Sequence, residues 1–205
     1  AKLGVENSRG TRLVSVSGHV ERAGNYEIEP GVVTLHDLLY ADDLGGGIPG
    51  GHALKAVIPG GSSTVILKAD ELDVGYDFDS LGQLHTAMGS AGIIVLDDRC
   101  CIVQLGIRFS EFYEHESCGK CTPCREGNYW MVRILRRLEN GQGTEQDLTT
   151  LLDTCDNMLG RSFCALGDGA ASPVTSSIAF FRDEYEAHVA GGCPFRPART
   201  LVGAH

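Results

Sequence analysis

At 205 residues the chain can hold one ordinary domain or two small ones, and its 42% hydrophobic content is enough for packed cores. A formal net charge of −10 argues against nucleic acid or an anionic membrane surface as the main partner. The longest near-continuous apolar run, Ala91 to Leu96, is far too short to span a bilayer, so no direct membrane insertion is expected. No charged segment followed by a hydrophobic signal region opens the chain, and nothing points to secretion. The eight cysteines are then expected in a reducing, cytosolic compartment rather than in disulfides. The first residue is Ala1 and not methionine, so the chain reads as a piece of a longer polypeptide.

Residues 1–12 are polar and read as a linker, and residues 13–99 carry strand patterns. Val14 and Val16 alternate with Ser15 and Ser17 up to Gly18. Tyr26 to Ile28 follows an Ala23-Gly24-Asn25 turn, so the two runs predict a hairpin. Thr34 is placed to cap a short helix whose Leu35, Leu38 and Leu39 share one face. Lys55 to Ile58 and Thr64 to Leu67 resume strand character, and Ile93 to Leu96 reads as a buried strand. Two strands, a helix and further strands is the order of a β-grasp, or ubiquitin-like, domain. Gly45-Gly46-Gly47-Ile48-Pro49-Gly50 fits G-x-G-x-x-G, but that fingerprint binds a dinucleotide only after a strand and at the start of a helix. Here a helix precedes it and a strand follows, so it reads as a loop.

From about residue 100 to 190 the period becomes helical. Ile102, Leu105, Phe109, Phe112 and Tyr113 define an amphipathic helix that delivers the chain to Cys118. A second helix runs from about Thr122 to Glu139, with Met131, Ile134, Leu135 and Leu138 inside, and Asn140-Gly141 stops it. Thr144 caps a third, whose apolar face is Leu148, Leu151, Leu152, Cys155, Met158 and Leu159. A fourth is expected from Asp168 or Ser172 to Val189, with Val174, Ile178, Phe181 and Tyr185 facing in. The fold class is therefore α+β: a β-grasp domain, then an all-α four-helix bundle, then a tail over 191–205.

Chemistry concentrates in Ser117-Cys118-Gly119-Lys120-Cys121-Thr122-Pro123-Cys124-Arg125. C-x2-C-x2-C lays three thiolates on one face of a metal cluster, and a [4Fe–4S] cubane needs a fourth. Cys164, in Ser162-Phe163-Cys164-Ala165-Leu166-Gly167-Asp168, is the best candidate, because an up-down bundle returns that loop to the triplet. Tetrahedral zinc is the competing metal, although it usually takes paired C-x2-C hairpins, and unligated thiols are the third reading. Gly119 would let backbone approach the inorganic sulfides; Thr122 and Pro123 read as N-cap and first helical residue. Cys155 lies on an apolar stripe, and Cys100 and Cys101 join strand to helix, so all three read as packing. Cys193 reads as a free thiol, the histidines lack ligand spacing, and Tyr129 and Trp130 read as core. No nucleophilic or acid–base catalytic set is present in the pattern.

Glu116 to Gly127 followed by Gly160 to Asp168 closely resembles the NADH-binding flavoprotein subunit of respiratory complex I. The same motifs occur in its relatives in NAD-dependent formate dehydrogenases and NAD-reducing hydrogenases. Val16-Ser17-Gly18-His19-Val20 and Ile58-Pro59-Gly60-Gly61-Ser62-Ser63 are similar to that family's soluble-ligand-binding β-grasp (SLBB) segment. The resemblance implies that Cys118, Cys121, Cys124 and Cys164 bind a [4Fe–4S] cluster taking electrons from flavin mononucleotide (FMN) reduced by NADH, on the way to quinone. It implies that FMN and NADH bind on an N-terminal half of the subunit that precedes the β-grasp domain. The implied partners are that flavin half, a thioredoxin-like [2Fe–2S] subunit and a large iron–sulfur subunit. The implied place is a peripheral arm on the cytoplasmic side of the inner membrane, or the matrix side in a mitochondrion. A diaphorase subunit of a formate dehydrogenase or hydrogenase, and a zinc-stapled β-grasp docking module, stand as alternatives.

Overall fold

A computed structural model describes residues 2–195, so most of the tail expected over 191–205 lies outside the described residues. The chain divides into two compact units, one holding the first hundred residues together with Asp168–Ser176, the other holding Cys101–Gly167 and the residues from Ser177 on.

The first unit opens with a two-stranded hairpin, β1 (Gly4–Val5) and β2 (Ser8–Arg9), inside the stretch expected to be a linker. Five further strands follow: β3 (Arg12–Gly18), β4 (Gly24–Ile28), β5 (Leu54–Ile58), β6 (Leu67–Lys68) and β7 (Gly92–Asp97). Their order in the sheet is β4-β3-β7-β5-β6, with β3 and β7 parallel and the other pairs antiparallel. The helix α1 (Leu35–Tyr40) completes the β-grasp arrangement. Thr34 and Asp37 form a reciprocal capping box at its start, and Leu35, Leu38 and Leu39 are wholly buried beside Val14, Val57, Ile93 and Val95. A second short helix, α2 (Phe78–Gln83), is capped by Asp77, whose carboxylate accepts from the amides of Asp79 and Ser80.

The strand expected over Thr64–Leu67 shrinks to its last residue, because side chains take the backbone groups that a ladder would use. Thr64 Oγ1 accepts from Gly60 N and donates to Gly61 O, Thr86 donates to Val65 O, and Ile66 N donates to Ser176 Oγ. The glycine-rich stretch after α1 is spent on that helix's C-terminus. Gly45 N bonds Leu38 O at 3.1 Å and Gly47 N bonds Leu39 O at 2.8 Å. Those amides are engaged with carbonyls and face no phosphate-sized anion.

The second unit is helical: α3 (Ile102–Glu116), α4 (Thr122–Glu139), α5 (Glu145–Met158), part of α6 (Leu166–Phe180) and α7 (Arg182–Gly191). The expected single fourth helix is broken at Phe181, which adopts φ −131° and ψ 39°. Asp183 and Glu184 then start α7 in the acidic manner that suits a helix N-terminus. It is α7 that packs against α3, α4 and α5, so the bundle's fourth member is shorter and later than expected. The inward stripe of α3 also differs. Ile102, Val103, Gly106, Ile107, Ser110 and Tyr113 are buried, while Phe112 is 50% exposed. Gly106 makes the room: a Cβ there would lie 3.4 Å from the hydroxyl of buried Tyr185. Tyr129 and Trp130, expected in the core, lie on the outer face of α4, with the Arg133 guanidinium over the Tyr129 ring.

Candidate metal centre

The cysteine triplet occupies the turn between α3 and α4. Ser117 caps α3 through its amide to Tyr113 O, and its hydroxyl accepts from Gly119 N at 3.3 Å. Gly119 sits at φ +74°, where a side chain would be strained, and Arg125 Nη1 donates to its carbonyl at 2.6 Å. Arg125 therefore braces the loop backbone, while Lys120 is exposed. The helix starts one residue earlier than expected: Cys121, not Thr122, is the N-cap, and Thr122 and Pro123 are the first two helical residues. No side chain caps it, so the first-turn amides and the positive helix end are left for an anion beside Cys121 and Cys124.

Cys124 is buried, Cys121 is half-buried, and Cys118 and Cys164 are exposed. Two polar groups converge on the Cys124 sulfur: Asn128 Nδ2 donates to it at 3.5 Å, and Ser117 Oγ lies 3.4 Å away. The second cysteine motif folds back onto the first. Phe163 N, adjacent to Cys164, donates to Cys121 Sγ at 3.4 Å. Gly167 follows on α6, and a Cβ there would lie 2.8 Å from Ser162 Oγ and 3.7 Å from Cys124 Cβ. The Ser162–Gly167 loop can press this closely only because residue 167 lacks a side chain.

A polynuclear iron–sulfur group fits this surround. The candidate donors are the four thiols of the α3–α4 turn and of the loop before α6; two N–H groups donate to two of these sulfurs, and the Ser117 hydroxyl lies 3.4 Å from one of them. Two buried polar atoms beside them, Asn128 Oδ1 and Ser162 Oγ, have no partner among the described residues. Among the described residues, no three of the four sulfurs lie within 4.8 Å of one another. A single tetrahedral zinc would need sulfur pairs about 3.8 Å apart, whereas a cubane spreads its thiolates over separate irons.

Cys155 is elsewhere, fully buried on α5 with its sulfur 3.5 Å from Met131 Sδ, and burial pushes its thiol up to about 12. The structure also assembles a group that sequence spacing did not reveal. Cys101, Glu139, His188 and Cys193 bring one ligand atom each to within 4.8 Å of the others. Their separation along the chain hides them; only the packing of α3, α4 and α7 brings them together.

Comparison with known proteins agrees with this geometry. The family model described as the NADH-ubiquinone oxidoreductase-F iron-sulfur binding region matches residues 105–188, and the SLBB domain model matches residues 12–95. The F subunit of the NADH-quinone oxidoreductase of Mycobacterium tuberculosis (strain ATCC 25618 / H37Rv) is 51% identical over 204 residues, covering 99% of this chain and 45% of that protein. Its Streptomyces coelicolor counterpart is 49% identical over 203 residues, covering 98% of this chain and 44% of that protein. The chain thus spans a little under half the length of the relatives it matches. A solved NAD+-reducing [NiFe]-hydrogenase in the H2-reduced state superposes with a TM-score of 0.80 at 32% identity, over 91% of this chain and 30% of that one. With a β-grasp sheet matching the SLBB domain, and a helical unit matching the iron–sulfur region, the chain is homologous over nearly its whole length to a portion of the F subunit of NADH-quinone oxidoreductases.

Proposed function

We propose that this chain is the electron-transfer portion of an NADH-oxidising subunit, and that Cys118, Cys121, Cys124 and Cys164 hold its [4Fe–4S] cluster. When bound, such a cluster accepts and releases one electron at a time. The observation that carries the ligand assignment is the Phe163 amide on Cys121 Sγ, which brings the Cys164 loop onto the triplet turn. The chain's own residues then have distinct tasks. Ser117, Asn128 and the Phe163 amide donate towards the thiolates, favouring the more negative state. Arg125 fixes the Gly119 carbonyl, and buried Cys124 anchors the turn to α4.

The division we propose is a β-grasp domain over 13–99 and a cluster-bearing bundle over 100–190. The electron donor would be FMN reduced by NADH on a further part of the same polypeptide, and the eventual acceptor quinone. Homology to the F subunit supports partner subunits in a larger complex, for which we propose a thioredoxin-like [2Fe–2S] subunit and a large iron–sulfur subunit. No helix of the described residues is long and apolar enough to cross a membrane, in keeping with a peripheral arm. The hydrogenase superposition supports a diaphorase role as the second reading, although its 32% identity is well below the 51% to the mycobacterial quinone oxidoreductase.

Anaerobically purified protein should carry about four irons and four acid-labile sulfides per chain and give a paramagnetic signal on reduction. Cys118→Ser, Cys121→Ser, Cys124→Ser and Cys164→Ser should each lose or degrade that signal. Zinc in place of iron, with no sulfide, would overturn the electron-transfer reading.

A further inference from the structure

We propose that Cys101, Glu139, His188 and Cys193 form a second metal site, a closed four-coordinate centre for Zn2+. The donors come from the N-cap of α3, the last residue of α4, the last turn of α7 and the segment just after it. They lie at the opposite ends of α3 and α4 from the cysteine triplet. α3 has 15 residues, or about 22 Å at its helical rise, so the two sites are separate.

The distances between donors are those of a tetrahedron around zinc. Bond lengths of about 2.3 Å to sulfur and about 2.0–2.2 Å to nitrogen or oxygen put the donors apart by about 3.8 Å (S–S), 3.6 Å (S–N and S–O) and 3.4 Å (N–O). Cys101 Sγ is 3.6 Å from Cys193 Sγ, 3.3 Å from His188 Nε2 and 3.9 Å from Glu139 Oε2. His188 Nε2 is 3.4 Å from Glu139 Oε2. All four atoms lie within 4.8 Å of one another, the packing that the triplet thiols lack.

The surroundings are built for a ligand and not for a loose cluster of polar groups. His188 is fully buried, and its Nδ1 lies 2.6 Å from the Glu184 carbonyl. That contact holds the proton on Nδ1 and turns the Nε2 lone pair towards the two thiols and the carboxylate. A lone pair and a carboxylate oxygen facing each other need a proton or a cation between them. Gln104 N donates to Cys101 Sγ at 3.4 Å at the start of α3 and so fixes the direction in which that sulfur points. Two glycines bring the tail in: a Cβ on Gly141 (φ +69°) would lie 3.3 Å from Gly192 N, and one on Gly192 (φ +81°) would lie 3.2 Å from Gly141 Cα. That contact of bare backbones holds Cys193 against the end of α4.

Two thiolates, one imidazole and one carboxylate select a borderline-soft cation and reject calcium or magnesium. Zinc has no redox chemistry, so the site staples three helix ends and carries no electrons. The alternative is a metal-free quartet, with a protonated His188 on Glu139 and two neutral thiols.

The test uses the whole subunit, purified anaerobically, with total metal analysis and zinc-edge X-ray absorption on the same sample. About one zinc per chain is expected beside the iron, in a shell of two sulfurs and two nitrogen or oxygen atoms. Cys193→Ser, on the half-exposed segment, should drop the zinc several-fold while the iron stays. Cys118→Ser should do the reverse. His188→Gln provides a second variant at the site. Failure of the reduced protein to take up added Zn2+ would overturn the site. So would a four-sulfur zinc shell, zinc unchanged in both Cys193→Ser and His188→Gln, or a Cys101–Cys193 disulfide in the purified protein. Because iron is counted separately, none of these results depends on the electron-transfer reading.

Discussion

Asn128 offers the sharpest test of how the protein surrounds its thiolates. The residue is fully buried on α4, one turn beyond Cys124, and its amide nitrogen contacts Cys124 O at 2.8 Å and Cys124 Sγ at 3.5 Å. Its Oδ1 has no partner among the described residues. Asn128→Leu keeps much of the volume and removes both the donor and the orphaned acceptor. Losing the bond to the carbonyl costs about 1 kcal/mol, while no longer burying a bare oxygen recovers about 1–3 kcal/mol. The altered shape costs up to about 1.5 kcal/mol, so stability should stay within about 2 kcal/mol of the parent. The sulfur has no such compensation. An N–H···S bond strengthens as the cluster becomes more negative, and forfeiting about 1 kcal/mol of that difference lowers a one-electron midpoint by about 40 mV. A redox titration followed by electron paramagnetic resonance reads this directly. A midpoint unchanged or raised, in protein with the parent's iron content, would refute the role given to Asn128.

Three other outcomes are expected. Cys155→Ser places a hydroxyl in the fully buried site beside Met131 and should cost about 1–3 kcal/mol in urea unfolding, with the cluster signal intact. Gly127→Ala would put a Cβ 2.3 Å from the sulfur of buried Met158 and should destabilise by about 1–2 kcal/mol despite its helix propensity. Gly82→Ala on α2, with nothing within 4 Å, should gain about 0.5–1 kcal/mol, and thermal unfolding compares the two. Asp97 is buried, which alone would raise its carboxyl. The Arg99 side chain at 2.5–2.9 Å and the Arg99 amide at 3.0 Å outweigh that and hold it below the usual carboxylate range. A depressed folded value means stability present in full above about pH 3.9 and lost as pH falls from there through the lowered folded value, so Asp97→Asn should flatten the acid limb of a pH–stability profile.

What the sequence disclosed and what it hid divide along a physical line. Period-two alternation at Val14 and Val16, and the Thr34 cap, placed the sheet and α1, because those signals are local and the structure uses them locally. The triplet was legible for the same reason, since its ligand spacing lies within one turn. The helix α2 was available too: Asp77 is an N-cap type, and the amides of Asp79 and Ser80 are where its carboxylate lands. Two-residue strands such as β1 and β2 carry no period at all. The inward face of α3 could not be placed because small residues, Gly106 and Ser110, form the stripe where large ones were expected. Room for Tyr185 decides that, and Tyr185 arrives from the far end of the chain.

The Cys101–Glu139–His188–Cys193 group carries this reasoning furthest. Read along the chain, Cys101 is an apolar junction residue and Cys193 a tail thiol. Three facts of tertiary packing convert them. The α3 N-cap geometry turns the Cys101 sulfur back over its own helix end, as its contact with Gln104 N records. The break at Phe181 starts α7 afresh, and in that helix His188 bonds the Glu184 carbonyl one turn earlier. The Gly141–Gly192 backbone contact then admits the tail. Each fact rests on residues that were visible, a cysteine before a helix, an acidic stretch and two glycines. Their convergence is a property of the bundle, and ligand spacing alone detects only sites that a single loop can build.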